Sequence, residues 1–158
     1  MQWDTRIMKL GGVFMAEDFS LSLVNNQKKR AMEQILACNS FTEKFGLMLS
    51  EQQVTCLVER RFAALQDNGR IELGDGIIKL LIQNFCDSPY IFQDNYEDTL
   101  IELQDSFYYF KNECDDRFSD EELVSFMKKY FDGVCQGSLE YLNETSLEEL
   151  CRFTRYIY

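Results

Sequence analysis

The sequence predicts an all-α fold, a compact bundle of about six or seven helices with at most one very short extended segment. Three observations carry this expectation. Helix-start signatures of the form Ser/Asp-x-x-Glu/Gln recur ahead of apolar runs, where they satisfy two otherwise orphaned amides. Apolar residues in those runs repeat at steps of three and four, the spacing of one helical face. The single proline and most of the eight glycines among 158 residues punctuate the chain between the runs. The signatures are Ser40…Glu43, Ser50…Gln53, Asp94…Glu97, Ser119…Glu122 and Ser146…Glu149.

In chain order, residues 1–24 read as a loosely attached N-terminal extension and 25–158 as a single helical domain. The first helix covers Gln27 to Cys38, with Met32, Ile35 and Leu36 inward. A short turn from Phe41 to Phe45 stops at Gly46. Glu51 to about Gln66 forms the next helix, striped by Val54, Leu57, Val58, Phe62 and Leu65. "QDNGRIELGDG" breaks it, and Ile71 to Leu73 is the place for a short extended segment. Gly76 to Cys86 is apolar on most sides, as a central buried helix should be, although a buried strand reads similarly.

"FCDSPYIFQDNYEDTL" (Phe85 to Leu100) is then a corner between helices. Asp87 and Ser88 offer side-chain oxygens for a turn. Pro89 cannot continue a helix and disfavours helical geometry at Ser88. Beyond it Tyr96, Leu100, Leu103, Phe107 and Phe110 step by four, three, four and three, a seam against another helix. Tyr109 falls off that seam and should be exposed. "NECDDRFSD" makes the next corner, Asp120 to Phe131 the next helix, and Leu147 to Tyr156 the last.

Composition excludes several functions. There is no histidine, which removes histidine-dependent triads, imidazole metal sites and a histidine pH switch. No run approaches the ~20 apolar residues of a membrane-spanning helix, and the N-terminus makes a poor signal peptide. Without export the expected location is the cytoplasm, where the six cysteines, the closest 16 residues apart, read as small buried hydrophobes. Net charge is −11, and residues 87–122 account for −10 of it, with 12 acidic and 2 basic side chains. That distribution excludes a nucleic-acid binder, which needs a basic face for phosphates. It reads either as a solvated helix face or as a surface complementary to a basic partner.

No motif calls for a cofactor or a metal. The loops Ala63–Asp75 and Lys111–Glu122 resemble calcium loops, but Ala64 and Gln66, and in the second Lys111, stand where carboxylates are needed. Cys86 sits beside Asp87 at a helix end, the wrong setting for a reactive thiol. Paired carboxylates such as Asp115-Asp116 and Glu148-Glu149 lie near helix starts, where the dipole explains them.

Three stretches, "FCDSPYI", "TLIELQDSFYYFKNE" and "FDGVCQGSLEYL", resemble a family of small uncharacterised bacterial cytoplasmic proteins, a domain of unknown function, over roughly Asn25 to Arg155. The resemblance implies a bacterial, stand-alone helical domain and carries over no functional residue. The function expected from the residues is a non-enzymatic interaction module for another protein, of basic character. Its partner-binding residues would be Tyr90, Phe92, Asp94, Asp98, Asp105 and Tyr109. A small-molecule binder or hydrolase with a carboxylate-lined pocket, and a degenerate calcium-loop regulator, are the alternatives; the sequence leaves the oligomeric state open.

Overall fold

A computed structural model describes residues 12–72, 74 and 76–157, with side chains from residue 22 to 156 apart from 73 and 75. It is all-α. The helices are α1 (Gly12–Ala37), α2 (Asn39–Thr42), α3 (Glu51–Asp67), α4 (Ile78–Phe85), α5 (Tyr96–Glu113), α6 (Asp120–Asp132), α7 (Leu139–Tyr141) and α8 (Leu147–Ile157). Two of them, α2 and α7, are single turns. Helix α1 begins well ahead of Gln27, because no proline or glycine interrupts Val13 to Ala37. Ile71 and Glu72 are irregular rather than extended, and Leu73 lies outside the described residues.

Helix α5 is the centre, packed on α3, α4, α6 and α8. Its seam residues Tyr96, Leu100, Leu103, Phe107 and Phe110 are all buried, as their spacing predicts. Ile78, Leu81, Ile82 and Phe85 of α4 close the core on one side, and Leu123, Val124, Met127 and Phe131 of α6 on another. Phe85 and Phe131 meet edge to face at 5.6 Å, a favoured aromatic geometry. Helices α3 and α5 run parallel. Gln104 Nε2 donates to Leu57 O, and further along both helices Asn112 Nδ2 donates to Asn68 O.

Two of the five helix-start signatures form full capping boxes, Ser50 with Gln53 and Ser119 with Glu122. The other three do not cap. Ser40 lies inside α2 and donates to Ala37 O, and Ser146 is buried in a π-helical turn, Leu142–Ser146. Asp94 falls in a 3-10 turn that precedes α5, and Asn95 Oδ1 accepts from Phe92 N instead. In each case the preceding residues are already helical or turned, so the hydroxyl or carboxylate never faces free amides.

The Phe85–Leu100 stretch is a corner held from both sides. Ser88 Oγ donates to Asp132 Oδ1 at 2.6 Å and accepts from Tyr90 N. Gln93 exchanges two hydrogen bonds with the Met48 backbone. Gly137 has φ +82°, and a Cβ there would lie 2.6 Å from the Tyr90 Cβ, so only glycine lets the corner close.

The cysteines are not all alike. Cys114 and Cys151 are paired as a disulfide with Cα atoms 5.2 Å apart, while Cys38, Cys56, Cys86 and Cys135 are free. The expectation of six independent buried thiols is corrected here: α5 and α8 pack together and bring into bonding range two residues 37 apart in sequence.

Candidate functional site

Helix α5 buries one face, so its opposite face is solvent-exposed or half-exposed. Asp98, Glu102, Asp105 and Tyr109 follow one another there at steps of four, three and four, forming a single outer line. The line is a ridge. On one side α3 supplies Arg60, Ala63 and Asp67 to a concavity of about 410 Å³ that also touches Asp105 and Tyr109. On the other, Asn143 and Glu144 of the π turn and Glu148 of α8 border an open depression of about 490 Å³ with Asp105, Ser106, Tyr109 and Phe110. Tyr109, 47% exposed, borders both. Its ring is braced edge to face by Phe110 at 4.9 Å. Ser106 Oγ donates to Asn143 Oδ1 at 2.6 Å and fixes the π turn against α5.

The six residues singled out in the sequence divide into two groups. Asp105 and Tyr109 share the two concavities, with Asp98 further back on the same line. Phe92 and Asp94 are exposed at the corner before α5. Tyr90 is half-buried, its ring edge-on to Phe131, so it braces the corner. Glu144, Glu148 and Arg60 complete the site from other elements. The sequence marks Glu148 only as one of a carboxylate pair at a helix start, and nothing along the chain brings Glu144, Glu148 or Arg60 near Tyr109.

The acidic excess is less concentrated in space than along the chain. Asp87 pairs with Lys128 (2.7 Å), Asp105 with Arg60 (3.1 Å), Glu113 with Arg155 (2.9 Å), Asp116 with Arg70 (2.8 Å) and Asp120 with Lys111 (2.8 Å). These cations come mostly from other elements. The Arg70 guanidinium holds the Asp116 carboxyl below its usual range. Among the described residues no cation pairs with Asp94, Asp98 or Glu102. The carboxylates of this stretch without a cation among the described residues fall in two places: Asp94, Glu97, Asp98 and Glu102 at the corner and first half of α5, and Asp115, Glu121 and Glu122 around the start of α6.

Little nucleophilic or metal chemistry is supported. Burial pushes the free thiols of Cys38, Cys56 and Cys86 up, with the Glu97 carboxylate adding at Cys56 and Asp87 at Cys86. A raised thiol is a poor nucleophile at neutral pH. Among the described residues no group of three cysteines or carboxylates is placed to hold a metal. In the 111–122 corner the Lys111 ammonium bonds Asp120 and the Phe118 carbonyl (2.5 Å).

A sequence model described as "Family of unknown function (DUF6323)" matches residues 34–158, which include all three stretches that carry the resemblance. No curated protein and no solved structure matches the chain.

Proposed function

We propose, for a chain that belongs to this family of unknown function, a non-enzymatic interaction module of the bacterial cytoplasm that docks a basic protein segment on the outer face of α5. The observation that carries the reading is the ridge itself. One aromatic side chain, Tyr109, stands between two concavities whose linings hold Asp67, Asp105, Glu144 and Glu148 against one cation, Arg60. An exposed tyrosine face flanked by carboxylates suits a lysine or arginine side chain, which gains ion pairing from the rim and cation–π contact from the ring. Asp94, Asp98 and Glu102 extend the negative field and would steer such a segment toward Tyr109. The cytoplasmic placement rests on the resemblance alone, since the Cys114–Cys151 disulfide is a bond that a reducing compartment disfavours.

Affinity capture from native lysate tests the reading, comparing the natural chain with a D94K/D98K/D105K variant and with Tyr109→Ser. A specific partner retained by the natural chain should be lost by both variants and released by salt. Equal recovery by all three proteins rejects it. A small organic cation is the second reading, because the same tyrosine face and carboxylates line the open depression beside α5. Chemical-shift changes at Tyr109 and Ser106 on adding a diamine would support that alternative.

A further inference from the structure

We infer that α8 is the contact face of a homodimer, in which two copies pair α8 antiparallel about a twofold axis. Glu149, Arg152, Phe153 and Tyr156 occupy one line of α8 at spacings of three, one and three, and all four are exposed. Phe153 is 62% and Tyr156 86% exposed. Phe153 also lines a concavity of about 250 Å³ with Val134, Tyr141 and Glu149, and Val134 and Tyr141 are exposed as well. A contiguous aromatic and aliphatic patch of this kind marks an association surface.

The charge order along α8 suits a second, antiparallel α8 as the occupant. Glu148 and Glu149 lie in its first turn and Arg155 in its last, with Arg152 one turn earlier. Arg155 is held by Glu113 within the chain. Glu149 and Arg152 have no partner among the described residues. Parallel pairing of two such helices sets like charges together, whereas antiparallel pairing sets acid beside base. With the axis between Arg152 and Phe153, Glu149 of one copy lies about 6 Å along the helix from Arg152 of the other, within reach of two long side chains. The same axis lays Arg152 against Phe153 of the second copy, a cation–π contact. It also brings the second copy's Tyr156 over Glu149 at the 250 Å³ concavity, where the ring has room and the hydroxyl can donate to the carboxylate. A twofold interface makes every contact twice.

Sedimentation equilibrium of the full chain tests this. The weight-average mass should rise from 18.7 kDa toward twice that value between about 1 and about 100 µM, as expected of a small interface. F153S/Y156S should stay at the monomer mass throughout. E149R and R152E should each weaken dimerisation about tenfold or more, and E149R/R152E should recover to within about threefold of the natural chain. All these positions are exposed, and unchanged far-UV circular dichroism confirms folding. The inference is overturned by a monomer at every concentration, by masses beyond the dimer, by an F153S/Y156S dimer, or by a double exchange as weak as the single ones.

Discussion

Removing the Glu72 carboxylate should expose how the chain tolerates a buried arginine. Arg61 is 2% exposed, within α3, and its guanidinium has two acceptors: Glu72 Oε1 at 3.0 Å and Gly74 O at 2.8 Å. Its Nε has none. Glu72 Oε1 also accepts from the buried Tyr108 hydroxyl at 2.7 Å. Gly76 permits the arrangement, since at φ +83° a Cβ would sit 2.4 Å from Arg61 Nε. Glu72→Ala leaves the guanidinium with one neutral acceptor and the tyrosine hydroxyl with none. Breaking a buried pair by removing one partner costs about 3–5 kcal/mol, and an unsatisfied buried hydroxyl about 1–3 kcal/mol. The two overlap. Glu72 is also 22% exposed on its side chain, so water can enter the gap, and about 3–4 kcal/mol is expected in all. With an m-value of about 2 kcal/mol/M the urea midpoint falls by about 1.5–2 M. Arg61→Met removes the charge that needs a partner and leaves the carboxylate with its tyrosine donor, so it should cost less, about 1–2 kcal/mol. Introducing Arg61→Met into the Glu72→Ala background should then raise the midpoint. If the double variant is less stable than Glu72→Ala alone, the uncompensated charge is not what destabilises the single variant, and the reasoning fails.

The Cys114–Cys151 bond closes a segment of 37 residues; chain entropy gives it about 4 kcal/mol in the oxidised protein, and a urea midpoint indifferent to reductant would refute this. Ser119→Ala removes the α6 cap, in which Ser119 Oγ accepts from Glu122 N at 3.1 Å, and should cost about 1 kcal/mol by thermal unfolding. Tyr96 and Tyr108 are pushed above the ordinary 10.0, chiefly by burial, with the Glu72 carboxylate adding at Tyr108. Their folded pKa lies above the unfolded one, so their contribution to stability is intact below pH ~10 and is lost as pH rises toward the folded values. Circular dichroism should therefore show unfolding above pH ~10, coupled to late tyrosine ionisation at about 295 nm. Simple ionisation of all eight tyrosines near pH ~10 with helicity retained would count against it.

What could be read in the sequence is what depends on near neighbours along the chain. Helical periodicity put Tyr96, Leu100, Leu103, Phe107 and Phe110 inward and Tyr109 outward, because the phase of one helix is set by its own residues. The Ser50 and Ser119 caps were legible for the same reason, as each bond spans three residues. Ser40, Asp94 and Ser146 carry the same signature without capping, since a cap also needs the preceding chain to leave the helix, and packing decides that. The acidic stretch shows the limit most clearly. Counting residues found the charge, but Arg60, Arg70, Lys128 and Arg155 cross from other elements to neutralise much of it.

Only tertiary structure placed Glu144 and Glu148 beside Asp105 and Tyr109, paired Cys114 with Cys151, and buried Arg61 against Glu72. Sequence by itself determined which side of each long helix faces the core, because that is a matter of spacing. Tertiary structure decided which helices became neighbours, because pairwise contacts between distant residues depend on how those faces are stacked.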